Sequence, residues 1–184
     1  MELHCYEIPR SGVVICPVGD VQMGVAGCNV DLFRRYIEDG MKRGAWFLGM
    51  GDYIDFANPT SRHSLRAAKI TDSVRDAMAY RACEMVEDFY QVVKGTEGRW
   101  LGMLQGHHFY EFDDGRTSDI LLTEKLKAPF LGTSALIRVM LLNDSVTIWC
   151  HHGVGSSKVM GGPLAQLEKA AMYWEAQIYL MGHH

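Results

Sequence analysis

Short apolar segments alternate with helical patterns along the first half of the chain. Residues 11–18 and 46–50 are apolar runs of the length of one buried strand, and a glycine followed by an aspartate ends each run. Between them, residues 29–43 carry apolar side chains at helical spacing, with Asn29 or Asp31 as a candidate N-cap. A strand, a helix and a second strand in this order favour a parallel pair with a right-handed crossover.

The second half of the chain continues this alternation. A polar loop after Asp55 leads into a long helical region that extends to Gly95 and contains Thr71 as a candidate cap. The remaining predicted elements are a strand over residues 99–104, a short helix over 119–126, strands over 135–142 and 146–150, a helix from Pro163 with Leu164, Leu167, Ala171 and Trp174 on its inner face, and a last strand over 178–181. Turn residues Asn143 and Asp144 predict that the strands on either side of them are antiparallel. The whole pattern predicts an α/β fold.

The composition indicates one globular domain spanning residues 1–184. With 184 residues, 48% of them hydrophobic, the chain is long enough to bury a full core. A formal net charge of −4 gives no general attraction for nucleic acid or for an acidic membrane surface. Five cysteines without paired spacing predict reduced thiols in a cytoplasmic setting. The sequence shows no signal peptide and no apolar run of the ~20 residues that a membrane span needs.

Acidic and imidazole side chains follow five of the predicted strands. They are Asp20, Asp52, His107 with His108, His151 with His152, and His183. A carboxylate at the end of a buried strand needs a partner or a cation, and in an open α/β sheet ligands bind in the crevice outside such strand ends. Taken singly, each aspartate is also typical of a turn or a helix cap, and each histidine of a hydrogen-bonded structural role. Their repetition at successive strand ends predicts a site for a divalent cation such as Mn, Fe or Zn.

The order of these motifs resembles that of the calcineurin-like metallophosphoesterases. The family's motifs are G-D-x-H, G-D-x-x-D, G-N-H-D/E, a single histidine and G-H-x-H. This sequence has G-D-V-Q at 19–22, G-D-Y-I-D at 51–55, G-H-H-F at 106–109, H-H-G at 151–153 and G-H-H at 182–184. The likeness spans nearly the whole chain, and the third and fourth motifs also resemble those of phage-encoded members.

This resemblance implies a fold, a reaction and a cofactor. The fold is an αββα sandwich of two facing mixed sheets flanked by helices, and the reaction is hydrolysis of a phosphoester at a dinuclear metal centre. The cofactors are two divalent metal ions, with Mn favoured over Fe and Zn. The implied ligands are Asp52 between both ions, Asp20 and Gln22 on the first ion, and His107, His151 and His183 on the second.

The same resemblance implies a general acid and substrate contacts. His108 would protonate the departing oxygen, and Asp55 would orient its imidazole. His152 and Arg116 would contact the substrate. His151 ranks ahead of His152 as a metal ligand because the family usually takes the first residue after the strand.

Three features depart from the family pattern. Gln22 stands where the family has an imidazole ligand, and an amide oxygen is the weaker ligand for such metals. The last motif stops at His184, one residue before its final histidine, so we expect a chain truncated within this motif, with remnants of an engineered tag as the alternative. Phe56 and Ala57 stand where the protein phosphatases have an arginine, which favours diesterases, including nucleases, as the enzyme class.

Five basic residues are candidate phosphate contacts or, alternatively, part of the solvated surface. They are Arg62, Arg66, Lys69, Arg116 and Lys158.

Two other functions fit the same residues. A degenerate relative in a phage accessory or binding role would keep the fold and bind metal weakly or not at all, and Gln22 favours this alternative. A single-metal hydrolase of another chemistry, such as an amidase, would need a substrate pocket that the sequence does not reveal. The expected partners are a phosphoester substrate, including a nucleotide or nucleic acid, and no membrane; a phage-encoded protein would act in the host cytoplasm.

Overall fold

The computed structural model describes residues 1–68, 70–153 and 161–183. In these residues the chain forms a mixed α/β fold with two sheets and five helices, none of which is both long enough and apolar enough to cross a membrane. The strands are β1 (Leu3–Glu7), β2 (Ile15–Gly19), β3 (Trp46–Gly51), β4 (Trp100–Met103), β5 (Ser134–Met140), β6 (Ser145–His151) and β7 (Ile178–Met181). The helices are α1 (Val30–Lys42), α2 (Pro59–Ala67), α3 (Asp72–Val93), α4 (Ser118–Leu126) and α5 (Gly162–Tyr173).

The first sheet is parallel, as the sequence predicts for its first two strands. Its order is β2-β3-β4, and Ile15 of β2 lies opposite Trp46 of β3. The connecting helix α1 begins after Asn29, whose side chain accepts a hydrogen bond from the backbone N–H of Leu32 at 2.9 Å. Since all three strands run in one direction, the residues that follow them lie at the same edge of the sheet.

The second sheet has the order β1-β5-β6-β7. Strands β5 and β6 are antiparallel, as predicted, whereas β1 pairs with β5 and β7 pairs with β6 in parallel. The carboxyl ends of β6 and β7 therefore lie at one edge of this sheet. That edge leads into His151, His152 and His183.

The two sheets pack face to face through an apolar layer. Leu48 of β3 and Leu101 of β4 belong to one buried cluster with Ile137 and Ile148 of the second sheet. Since successive side chains of a strand alternate between its faces, Phe47 lies on the other side of β3, in a second cluster. The first sheet is therefore buried on both faces, which explains why its strands read as continuous apolar runs.

Helices cover the outer face of the first sheet. Phe33 of α1, Phe89 of α3 and Leu122 of α4 are buried in the same cluster as Phe47. The rings of Phe33 and Phe89 lie 5.2 Å apart, so α1 and α3 contact each other as well as the sheet. On the second sheet, α5 contacts β7 and lies beside Trp149 of β6.

The structure corrects several predictions of elements. Strand β1 was not predicted, and the strand predicted over residues 11–18 is shortened to β2. The long helical region divides into α2 and α3, and Thr71 at the start of α3 makes no side-chain cap hydrogen bond. Leu164 and Trp174 are 63% and 41% exposed while Ala170 is buried, so the inner face predicted for α5 is wrong.

Candidate metal centre

The turns after three strands place non-glycine residues in the left-handed region of backbone space. Asp20, Gln22, Asp52 and His183 have φ between 49° and 55°. This conformation is unfavourable for L-residues and persists where the surroundings enforce it, often at functional sites. Here neighbouring turns hold each other: Asp20 N donates to the carbonyl of Gly51 at 3.0 Å, and Gln22 N to that of Asp52 at 2.9 Å. The turns after β2 and β3 therefore form one rigid unit.

Asp52 lies at the centre of this unit with its side chain fully buried. Its Oδ1 accepts hydrogen bonds from the backbone N–H of His107 at 2.5 Å and of His108 at 3.1 Å. Its Oδ2 lies 3.1 Å from Nδ1 of His183. Burial raises the pKa of Asp52, but the contact with His152 and the hydrogen bond from His107 outweigh burial, and the pKa lies far below its usual value. Asp52 is thus a buried, ionised carboxylate.

Asp52 belongs to one of two neighbouring groups of candidate ligand atoms. One comprises His107, His152 and His183, and the other comprises Asp20, Asp52 and His183; within each group the candidate ligand atoms lie within 4.8 Å of one another. The ring of His107 lies 4.5 Å from those of both His152 and His183. Burial lowers the pKa of His107, and the neighbouring imidazoles lower it further. This favours the neutral imidazole, which is the form that binds metal.

The structure corrects the choice between the adjacent histidines at the end of β6. His151 follows the alternation of the strand and stacks on Trp149, with ring planes 11° apart and centroids 5.7 Å apart. Its Nδ1 accepts a hydrogen bond from Gly153 N at 2.7 Å. His152 turns to the other side and lies with His107 and His183. His152 therefore occupies the place predicted for His151, and His151 lies outside the group.

The Nε2 atom of His152 is a buried nitrogen without a hydrogen-bond partner among the described residues. The other ring nitrogen, Nδ1, lies 2.7 Å from the carbonyl oxygen of Met50, which can only accept, so Nδ1 carries a proton. In the neutral ring, Nε2 then presents a lone pair 3.4 Å from Oδ1 of Asp52. Burial lowers the pKa of His152, but Asp52 and the Met50 carbonyl raise it above its usual value. Nε2 of His152 beside Asp52 is therefore a position for a cation, either a proton or a metal ion. His152 and its neighbours thus fit a metal site.

His108 lies beside the ligand groups and pairs with Asp55. Its Nδ1 lies 2.5 Å from Oδ1 of Asp55, and its Nε2 lies 3.9 Å from Oδ2 of Asp52. The backbone also joins the two loops, because Phe56 N donates to the carbonyl of His108 at 2.9 Å. Asp55 thus fixes the ring of His108 with Nε2 directed towards the centre.

The other predicted site residues differ in their placement. Gln22 joins the centre through its backbone, and its side chain makes no hydrogen bond to the rest of the described chain. Arg116 is directed to Asp114 and Glu124, at 2.7 and 3.3 Å, and makes no contact with the ligand groups in the described residues. The predicted positions Lys69, Lys158 and His184 lie outside the described residues.

Asp119 is a supporting residue that the sequence did not indicate. It is 3% exposed in the first turn of α4, and its Oδ2 accepts a hydrogen bond from Gly106 N at 2.9 Å. A Cβ atom on Gly106 would collide with the backbone nitrogen of Asp52, so the loop needs glycine here. Burial raises the pKa of Asp119 to about 6. Asp119 therefore anchors the loop that carries His107 and His108. The sequence did not indicate this role because acidic residues are common at the start of helices.

Comparison of the chain with models of protein families, with curated proteins and with solved structures finds no match. The resemblance to the calcineurin-like metallophosphoesterases therefore stays a prediction from the motifs. The centre is defined by its own geometry, in which two carboxylates and three imidazoles from the strand ends of both sheets form two groups of ligand atoms that share His183.

We expect His152→Ala to weaken metal binding more than His151→Ala does. Removal of the buried Nε2 should lower the affinity for Zn or Mn at least about tenfold, because a direct ligand is lost. His151→Ala is the matched control and should change the affinity less than about twofold, since its ring stacks on Trp149 outside the group. Isothermal titration calorimetry on chelator-treated protein measures both. Equal losses for the two variants would contradict the placement of His152.

We expect Asp119→Asn to remove a pH dependence of stability. The folded-state pKa of about 6 lies above the ordinary value of 3.8, so this group stabilises the fold fully below pH 4 and loses that contribution as the pH rises through 6. From pH 4 to 7, the variant should gain up to about 3 kcal/mol in unfolding free energy relative to the wild type.

Urea unfolding of metal-free protein at several pH values measures the effect of Asp119→Asn. The exposed Asp76→Asn is the matched control for the change of net charge. Parallel pH profiles for Asp119→Asn and the wild type would show that the Asp119 carboxyl titrates alike in the folded and unfolded chain.

Proposed function

We propose that the protein is a metal-dependent phosphoester hydrolase with the αββα sandwich of the calcineurin-like metallophosphoesterases. One observation carries the proposal: the buried carboxylate of Asp52 belongs to one of two groups of metal-ligand atoms that share His183, and the other group includes the Nε2 atom of His152, which has no hydrogen-bond partner among the described residues. A cation on that nitrogen, either a proton or a metal ion, would satisfy it. The two facing sheets and the helices on the outer face of the first sheet accord with the proposed sandwich.

In the proposed centre, His107, His152 and His183 would hold one cation, and Asp20 and Asp52 from the other group would hold the second. Asp52 would be the ligand that both cations share, because a carboxylate has two oxygens to offer whereas a neutral imidazole has one free nitrogen. Two divalent cations bound here would activate the phosphate group and a water molecule as Lewis acids. Carboxylate and imidazole ligands suit Mn, Fe and Zn, and Mn is the ion we favour.

His108 acts as the general acid in this proposal. Its Nδ1 is tied to Asp55, so the proton that it can transfer is on Nε2, which lies on the side of Asp52. The departing oxygen of a phosphoester held at the centre accepts that proton. Asp55 holds the ring in place for the transfer.

The substrate proposed is a phosphodiester, including a nucleotide or nucleic acid, rather than a phosphoprotein. Phe56 follows Asp55 where the protein phosphatases have an arginine, and its ring packs on Tyr110 at 4.7 Å, away from a role in holding phosphate. The formal net charge of −4 disfavours unaided attraction of a polyanion. Recognition of the phosphate therefore rests on bound cations and on local arginines.

The proposal requires that hydrolysis depend on both metal and Asp52. With Mn present, the protein should hydrolyse bis(p-nitrophenyl) phosphate, and excess EDTA should abolish the activity. Asp52→Asn should lower kcat/KM at least about 100-fold, because it weakens the ligand shared by both cations. The exposed Asp72→Asn is the matched control, and circular dichroism checks that both variants are folded.

Elemental analysis separates the proposal from its rival. Protein that takes up no Mn and hydrolyses neither diesters nor monoesters would favour the degenerate binding protein, the alternative that Gln22 supports. Full activity of Asp52→Asn would show that Asp52 does not bridge the cations.

The general-acid role of His108 makes the effect of its removal depend on the leaving group. His108→Ala should lower kcat about 10²- to 10⁴-fold for a dinucleoside phosphate, whose alkoxide needs a proton as it departs. The loss should stay below about tenfold for bis(p-nitrophenyl) phosphate, whose nitrophenolate departs without one. Steady-state kinetics with both substrates measures the ratio.

Mn content, determined on the same samples, shows whether His108→Ala keeps the metal. His63→Ala, which removes an exposed histidine of α2, is the matched control. Equal losses of kcat with both substrates would assign His108 a role other than proton transfer.

A further inference from the structure

A cleft of about 340 Å³ lies next to the loop that carries His107 and His108. Ala57 and Arg62 line it, and both also contact that loop. The backbone N–H of Ala57 points to the carbonyl of His108 at 3.4 Å, and Nη1 of Arg62 donates to the carbonyl of His107. Ala57 and Arg62 therefore form a wall between the cleft and the loop of the candidate metal centre.

Arg62 is held rigidly at this wall. Its Nη1 donates to the carbonyls of His107 and of Ala57, the latter at 2.6 Å, and its guanidinium carbon lies 3.9 Å from the centre of the Phe109 ring. In the described part of the chain, Nε and Nη2 have no acceptor and no carboxylate lies within ion-pair distance. A half-buried guanidinium thus keeps two donors available for a ligand in the cleft.

The other arginines of the cleft differ from Arg62 in this respect. Arg66 forms an ion pair with Glu111, and Arg75 lies 4.0 Å from Asp72. Burial lowers the pKa of Arg62, and the charge of Arg66 lowers it further. The more distant carboxylates that oppose this effect, including Asp119, do not pair with it. An anion bound in the cleft would supply the missing counter-charge.

The position of the cleft also fits the direction of the proposed reaction. His108 gives its proton to the oxygen that departs, so the leaving portion of the substrate lies on the side of His108. The backbone of His108 contacts Ala57, which lines the cleft. An extended leaving portion would continue from His108 past Ala57 towards the cleft.

We infer that Arg62 and this cleft form a binding subsite for a second phosphate group, carried by the leaving portion of the substrate. The inference rests on the proposed hydrolase function and makes it more specific. The substrate is then a nucleotide or short oligonucleotide in which a further phosphate follows the scissile one. Nε and Nη2 of Arg62 would donate to two oxygens of that phosphate.

Two dinucleotides test the subsite. Dithymidine phosphate with a phosphate at each end presents a second phosphate whichever oxygen departs, and the same dinucleotide without terminal phosphates lacks it. The wild type should cleave the first with a kcat/KM about tenfold higher, which is the size of one charge-assisted contact. Arg62→Gln shortens the side chain and removes the charge, and should bring the ratio close to one.

Arg62→Lys should restore part of the preference, since it returns a positive charge without the planar fork. Arg116→Ala is the matched control, because Arg116 is exposed and paired with Asp114 and Glu124. All assays use the same ionic strength. A preference for terminal phosphates that persists in Arg62→Gln overturns the inference and leaves the hydrolase function standing.

A binding experiment separates the two proposals. Chelator-treated protein is titrated with thymidine 3′,5′-bisphosphate and with thymidine by calorimetry, so neither metal nor catalysis contributes. We expect the wild type to bind the bisphosphate about tenfold more tightly than Arg62→Gln does. If the wild type shows this tighter binding but hydrolyses no phosphoester, the anion subsite is supported and the hydrolase function is contradicted. Equal affinity of both proteins for the bisphosphate would overturn the subsite.

Discussion

The burial of the ionised Asp52 side chain is the constraint on which the centre depends. A carboxylate without access to water loses its hydration, and only hydrogen bonds and opposite charges can offset this loss. The backbone N–H groups of His107 and His108 and the imidazoles of His152 and His183 meet this need. Because these partners come from β4, β6 and β7, the carboxylate ties both sheets together at one edge. The stability of the centre and its capacity to bind cations thus have the same origin.

The close approach of the two sheets requires small residues beside Asp52. Gly51 has φ of 94°, and a Cβ atom there would collide with the ring of His152 from the opposite sheet. A Cβ atom on Gly106 would collide with the backbone of Asp52. The glycines that precede the acidic and imidazole residues are therefore packing requirements as much as turn formers. This explains why glycine comes directly before Asp52 and His107 in the sequence.

The sequence predicted those parts of the fold and site that local pattern determines. Apolar runs that end in glycine predicted the parallel strands and the proximity of four site residues, which are Asp20, Asp52, His107 and His183. The helical pattern between the first two runs predicted α1 with its Asn29 cap. The sequence did not predict the choice between His151 and His152. Successive residues of a strand point to opposite faces, so the choice depends on which face of β6 is buried, and only the packing of the sheets shows that Cys150 lies on the buried face. β1 was not predicted because its side chains alternate only between exposed and partly buried positions. The strand is defined by its pairing with β5, which lies far along the chain. Asp119 is buried by tertiary contacts, which leave no local signal.

The chemical difference between the two ligand groups bears on the meaning of Gln22. One group offers three imidazole nitrogens, whereas the other offers the carboxylates of Asp20 and Asp52 and the imidazole of His183, with Gln22 two residues after Asp20 along the chain. Nitrogen-rich sites favour Zn and Fe, and oxygen-rich sites favour Mn and Mg. In the proposed centre, an amide oxygen of Gln22 in place of an imidazole would make the first position richer in oxygen, and does not by itself imply a lost site. At this position, next to the solvent-exposed Asp20, the preference agrees with the choice of Mn.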